Sequence, residues 1–431
     1  MIWERCAHNA HESEDGLRMY WKHRFTVLGL LYTASGLCYL DRMVMASALP
    51  FIAKDLHLSP LAAGQVLSAF FVGYAISQIP GGLMADRFGP RPMITGTILW
   101  WSVMTGLTAL APGLLALLLT RVLFGLGEGP FPPAAYKTMA TWVPRAALGR
   151  ASGLQQAATA VGATVAPLFV ASAVLEWGWR SSFYLLIVPG IALACLMWRY
   201  VRNSPQESGR VSPREMADYE ATSVQSPQVK TSLATILRTP AVAWCAISFF
   251  LANTVAWGLM NWLPTYLLGS RGFSVQKMGA YAAIANLAGV VGYMLGGYLC
   301  DRYFRNRLKV PIIAGLLLST AFTYLAAIAP DGVYAVICLV PVFLFSNVVA
   351  TALSTVPLVI VPKQAVGAAF GLVNTAGQLS GILSPLVVGW ILTETHGRFE
   401  IVLYGMVALT AIAVYPAWQI RQATRWPRTA T

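Results

Sequence analysis

The chain reads as an all-α membrane protein, with twelve transmembrane helices in two pseudo-symmetric six-helix bundles. Three observations predict this. Its 431 residues are 57% hydrophobic and only 11% charged, against about 25% charged in ordinary globular domains. Apolar runs of about 20 residues, each able to cross a hydrocarbon core of about 30 Å, recur along almost the whole length. Short segments of the first half also return in the second half at a nearly constant offset.

The runs fall at 25–49, 61–85, 92–111, 114–140, 151–175, 182–200, 240–268, 278–300, 310–329, 333–361, 366–392 and 399–420. Residues 1–24 carry both signs of charge and no convincing cleavage site, and the run that follows is too long for a signal-peptide core. It is expected to remain as a span. The only long polar stretch is 201–239, with Ser204-Pro205, Ser212-Pro213 and Ser226-Pro227. It reads as a linker with a short surface helix at 213–220. The linker divides the spans into bundles over 25–200 and 240–420, and 421–431 forms a tail. Pro130, Pro132 and Pro133 should bend the fourth span just after Glu128.

Thirty bases against 17 acids give a net charge of +13. With the N-terminus inside, most bases cluster on the face that also receives the linker and the tail, which puts both termini in the cytoplasm by the positive-inside rule. A nucleic-acid surface would need soluble folded sequence to carry it, so no nucleic acid is expected. The six cysteines stand singly, without metal-ligand spacing or a disulfide framework. No Gly-x4-Gly-Lys-Ser/Thr loop occurs, so ATP drive is not expected. Neither metal nor cofactor has support.

Gly81-Gly82-Leu83-Met84-Ala85-Asp86-Arg87 returns 215 residues later as Gly296-Gly297-Tyr298-Leu299-Cys300-Asp301-Arg302. Gly153, Gln156, Pro167 and Arg180 return 218 residues later as Gly371, Asn374, Pro385 and Arg398. Two nearly equal offsets imply a duplicated six-span unit whose halves are related by an axis along the membrane normal. The binding site of such a pair sits between the halves near the midplane. Gln156 and Asn374 then become symmetry-related amides that can both face it.

The run Gly82-x3-Asp86-Arg87-x-Gly89-x-Arg91, with its echo at 297–302, resembles the hallmark loop of the major facilitator superfamily. That resemblance covers essentially the whole chain. It implies that Asp86, Arg87, Arg91, Asp301 and Arg302 brace a gate rather than touch substrate. Tyr39-Leu40-Asp41-Arg42 and Arg121-x3-Gly125-x2-Glu128-Gly129-x2-Pro132 further resemble the anion:cation symporter branch, which includes galactonate, glucarate and hexuronate carriers and sialin. This implies a non-enzymatic, proton-coupled symporter of the inner (plasma) membrane, working as a monomer and importing a sugar acid or other small carboxylate by alternating access.

The residues support that reading on their own terms. Asp41, Arg42, Arg121 and Glu128 are the charged side chains deep within the spans, and charge at that depth survives only when paired or facing a water-filled cavity. A guanidinium grips a carboxylate bidentately and never loses its charge, which makes Arg42 the candidate anion holder. Glu128, against an apolar wall, is the candidate proton carrier. Asp41 paired with Arg121 offers a second protonation point. Arg121 and Glu128 lie about 10.5 Å apart along one helix face, too far for contact but suited to one cavity wall. The bland alternative is a static pair of buried salt bridges. The cost of intramembrane charge favours function.

Tyr39, Tyr74, Gln156, Asn374 and Gln378 are the neutral candidates for substrate binding. On the seventh span Asn253, Trp257 and Asn261 stand at a spacing of four, within reach of the same cavity or of a helix–helix hydrogen bond. Thr159 stands near where some sugar-acid members carry glutamine, and the tenth span has Ser346, Asn347, Thr351 and Ser354 but no tryptophan. These departures widen the implied class to less hydroxylated or aromatic carboxylates. An organic-anion or drug exchanger, a paired-carboxylate membrane enzyme and a substrate sensor are the alternatives.

Overall fold

The computed structural model describes residues 23–143, 148–211, 216, 240–304, 307–361 and 366–420. The leading segment up to residue 22, most of the linker with its expected surface helix, and the tail lie outside the described residues. Among the described residues twelve long helices stand out: α1 His23–Asp55, α2 Pro60–Phe88, α3 Pro90–Ala109, α4 Leu114–Trp142, α5 Leu148–Trp177 and α6 Ser181–Tyr200 form the first half. The second holds α7 Pro240–Ser270, α8 Val275–Arg302, α9 Lys309–Ala327, α10 Gly332–Ile360, α11 Val366–Glu394 and α12 Phe399–Gln419. No strand occurs among the described residues.

Eleven of the helices are long and apolar enough to cross a membrane. The exception is α3, and its burial pattern says why: its inward face carries Thr95, Thr97, Ser102, Thr105 and Thr108. Local chemistry sets the ends. Ser59 caps α2 by accepting from the Ala62 amide, and Ser274, 215 residues later, caps α8 by accepting from the Lys277 amide. Each satisfies a backbone donor that the first turn leaves orphaned. Helix α4 breaks at Gly129-Pro130 and restarts at Phe131, because prolines 130, 132 and 133 cannot donate to the preceding turn. After Pro264, α7 ends in a π-helical turn over Tyr266–Ser270.

The packing repeats between halves. In the first, α1 lies along α5, α2 along α4, and α3 along α6; in the second, α7 lies along α11, α8 along α10, and α9 along α12. Across the divide α2 meets α11 and α5 meets α8, two contacts exchanged by the same pseudo-twofold axis. Close approach is made with small residues, as membrane helices require. A Cβ on Gly73 of α2 would overlap the Val122 carbonyl of α4, and one on Gly125 would overlap the Phe70 carbonyl in return.

The hydrophobic core is divided unevenly. At the end away from the linker one continuous cluster joins both halves, uniting Leu49, Ile52 and Leu117 with Leu267, Met278 and Leu403. At the linker end the buried residues separate into two clusters, around Ile94 and Met139 in the first bundle and around Ile312 and Val356 in the second. Polar contacts fasten the shared end: Ser68 Oγ donates to the Ile382 carbonyl at 2.7 Å, and the Leu61 amide to Thr393 Oγ1 at 3.0 Å. The two bundles are closed against each other at one end and apart at the other.

Candidate functional site

Arg42 on α1 and Glu128 at the break of α4 form a direct ion pair. Glu128 is fully buried, and the Arg42 side chain is 6% exposed. Three rings surround the guanidinium, with centroids 4.6 Å away for Tyr39 and Phe70 and 4.9 Å for Tyr74. Glycines 73 and 125 hold α2 and α4 close enough for Phe70, Tyr74 and Glu128 to meet around one cation. Arg42 Nε and Glu128 Oε2 remain buried without a protein partner.

The second expected pair does not form. Asp41 and Arg121 make no ion pair; instead Thr105 Oγ1 of α3 donates to Asp41 Oδ1 at 3.4 Å, and Arg121 donates to the Thr108 hydroxyl. The correction has a simple cause. Helix α3 packs along the first part of α4, and its two threonines, one turn apart, supply neutral partners to one acid and one base. The guanidinium of Arg121 also lies 4.5 Å from the Phe124 ring. Between Arg42 and Arg121 is a chamber of about 10 Å³, bordered from the second half by Asn261. The Nε of Arg121 and the Nδ2 of Asn261 are buried and unpartnered there.

A larger cavity of about 130 Å³ lies between the halves, bounded by α1, α5, α7, α8 and α10. Tyr39 lines it, so one ring faces the cavity and also stacks on Arg42. Gln156, Asn253, Trp257, Asn286 and Tyr293 contribute further. Of the residues singled out from sequence, Tyr39, Gln156, Thr159, Asn253, Trp257, Ser346 and Asn347 line this space, while Arg42 and Tyr74 do not. Asn374 and Gln378 do not line it. Their helix is packed between α2 and α7, and Gln378 keeps a buried, unpartnered Oε1. Sequence reasoning missed Asn286 and Tyr293, seven residues apart on one face of α8, as well as Thr105 and Thr108.

The residues assigned to a gate are spread along the linker end. Asp86 pairs with Lys137 of α4 at 2.8 Å, and Lys137 also donates to the Ala85 carbonyl at 2.9 Å. Arg91 donates twice to the Trp198 carbonyl, at 3.1 and 2.7 Å, with its guanidinium over that indole at 3.9 Å. Arg87 lies over the Phe88 ring. Asp301 and Arg302 are exposed and make no ion pair among the described residues.

Comparison with known proteins is consistent along the chain. The Major Facilitator Superfamily profile matches residues 31–385. A probable sulfoacetate transporter of Cupriavidus necator is 32% identical over 409 residues, covering 92% of this chain and 94% of that one. The hexuronate transporter of Bacillus subtilis is 28% identical, covering 92% and 95%. A D-galactonate transporter of Escherichia coli O6:H1 is also 28% identical, covering 92% and 94%. Among solved structures, a bacterial homolog of the human lysosomal transporter Spinster, in an inward-facing and occupied conformation, superposes with a TM-score of 0.75 at 21% identity. That match covers 92% of this chain and 97% of the other.

Proposed function

Because the chain belongs to the major facilitator superfamily and its relatives carry organic anions, we propose that it is a proton-coupled symporter importing an organic acid anion, such as a sugar acid, by alternating access. It works in the bacterial inner membrane with both termini in the cytoplasm, the orientation favoured by its basic linker face. The end that is split between two cores is then the cytoplasmic one, and the structure is inward-open.

The observation that carries the reading is the buried Arg42–Glu128 pair beside a cavity lined by Tyr39. With both acids ionised the four buried charges sum to zero, and Arg42 is occupied by Glu128. Protonating Glu128 leaves the cluster at +1 and releases the guanidinium fork. One substrate carboxylate restores neutrality, and two charge-assisted hydrogen bonds hold it. Loss of the proton returns Glu128 to Arg42 and expels the anion. The Glu128 carboxylate and the substrate carboxylate therefore alternate on one cation, and the proton travels with the substrate. Tyr39, shared by cavity and guanidinium, moves to let the carboxylate through. Arg121 and Asp41, held by the α3 threonines, tune the field around that pair.

Reconstitution in proteoliposomes tests this. Uptake of a radiolabelled hexuronate or aldonate should become concentrative when the outside is made acidic relative to the inside. Uptake that depends on a counter-substrate and ignores the pH gradient would identify an exchanger instead.

A further inference from the structure

We infer that Asn286 is a positioning residue of the transport cycle. Its amide partners a backbone carbonyl that Pro167 leaves unpaired, and so holds the cavity closed against the periplasm. The inference rests on reading the structure as the inward-open state of an alternating-access carrier.

A proline has no N–H to give, so the carbonyl four residues before it loses its helical partner. Pro167, inside α5, therefore orphans the Ala163 carbonyl. Ala163 is buried in the core cluster shared by both halves, where no water compensates it. The donor comes from the opposite half: Asn286 Nδ2 of α8 reaches across the divide to the Ala163 carbonyl at 2.9 Å. Asn286 and Ala163 both line the large cavity. Asn286 also borders a recess of about 10 Å³ with Met43, Ser47 and Pro167, on the side of the closed end. The bond thus stands in the ceiling of the cavity, between it and the periplasm.

The two seams between the halves share one device and differ in another. A Cβ on Gly279 of α8 would overlap the Pro167 carbonyl, and one on Gly64 of α2 would overlap the Pro385 carbonyl of α11. Both seams therefore lay a glycine on a proline carbonyl, at positions the repeat relates. Their side-chain fasteners are not equivalent. Ser68 Oγ donates at 2.7 Å to the Ile382 carbonyl, one residue past the Gly381 carbonyl that Pro385 frees. Ser68 adds a bond to a carbonyl within reach of its helical donor, whereas Asn286 replaces a donor that α5 lacks. When the closed end opens, α5 parts from α8 and water can hydrate the Ala163 carbonyl. Asn286 then stabilises the inward-open state and not its outward-open counterpart, which is what a shift of populations requires.

Spin labels at Glu176→Cys and Gln276→Cys, exposed near the periplasmic ends of α5 and α8, test this in proteoliposomes. In a carrier whose native cysteines are replaced, electron–electron double resonance reports the closed and open populations of that end. Asn286→Leu, similar in bulk and without a donor, should lower the closed-to-open ratio about five- to a hundredfold, the effect of one buried unpaired polar group. Pro167→Ala returns a helical N–H to Ala163, and in that background Asn286→Leu should move the ratio less than about twofold. Ser68→Ala should lower the ratio about two- to tenfold in either background. An Asn286→Leu carrier with the wild-type ratio overturns the inference. An equal shift with and without Pro167 also overturns it, because the asparagine would then act by packing alone. Should Asn286→Leu fold poorly, Pro167→Ala should restore its yield, and a yield that stays low counts against the inference in the same way. Wild-type labels that hold one distance at every pH, with or without D-galactonate, would instead defeat the alternating-access reading, and the inference with it.

Discussion

Replacing Arg42→Lys keeps the positive charge and removes the fork. In the structure the guanidinium faces Glu128 on one side and three rings at 4.6–4.9 Å on the others, so a shorter point charge fits the same shell. Glu128 stays compensated and the fold should survive. What is lost is one of the two parallel hydrogen bonds to the incoming carboxylate. A hydrogen bond to a charged group contributes about 1.5–3 kcal/mol, which is about a ten- to hundredfold loss of affinity. Arg42→Gln is the contrasting change. It leaves Glu128 alone at 0% exposure, and breaking a buried pair in this way costs about 3–5 kcal/mol of stability. The assay is the concentration dependence of counterflow, beside thermal unfolding of the purified protein. The Arg42→Lys carrier should show KM raised about ten- to hundredfold with near-wild-type stability, and the Arg42→Gln carrier should be destabilised outright. An Arg42→Lys carrier with an unchanged KM would refute the reasoning, because the carboxylate would then be held elsewhere.

Two further outcomes follow from neighbouring contacts. Thr108→Val removes the hydroxyl that accepts from the buried Arg121, costing about 1–3 kcal/mol in thermal or chemical unfolding. The loss should be far from additive with Arg121→Gln in a double-mutant cycle, since both changes remove one interaction. Gly125→Ala drives a methyl into the Phe70 carbonyl and parts α2 from α4 beside the Arg42–Glu128 pair. Folded yield and exchange should both collapse, whereas Gly96→Ala on α3, which meets open space, should leave both near wild type.

Much of the fold was legible because membranes make few demands and enforce them strictly. Apolar length fixes the spans, and the duplicated Gly-Gly-x3-Asp-Arg and Gly-Gln/Asn-Pro-Arg patterns expose the two halves. The repeat reaches further than those patterns, since Ser59 and Ser274 cap equivalent helices. The four deep charges announced themselves by their cost. What spacing on one helix cannot give is that helix's rotation against its neighbours. Asp41 and Arg121 looked like partners because their charges are opposite, yet α3 stands beside both with Thr105 and Thr108. The clue was present in the polar interruptions that make α3 too weakly apolar to qualify as a span by composition. Asn374 and Gln378 share a helix face, but neither lines the large cavity. Lys137 lay within a span and was overlooked as the partner of Asp86. At the repeat's offset Asn286 and Tyr293 fall opposite Phe71 and Gln78, residue types unlike them, so the repeat did not flag them.

The central claim is that the proton on Glu128 decides whether Arg42 is free, and Glu128→Gln tests it most directly. Glutamine imitates the protonated acid permanently, so exchange of labelled acid between equal pools should continue. In wild-type proteoliposomes each unit by which the outside pH lies below the inside supplies about 1.4 kcal/mol per coupled proton, up to about tenfold accumulation. For the Glu128→Gln carrier the same gradient should leave the accumulation ratio at about one. A Glu128→Gln protein that still concentrates substrate in step with the pH gradient would contradict the account.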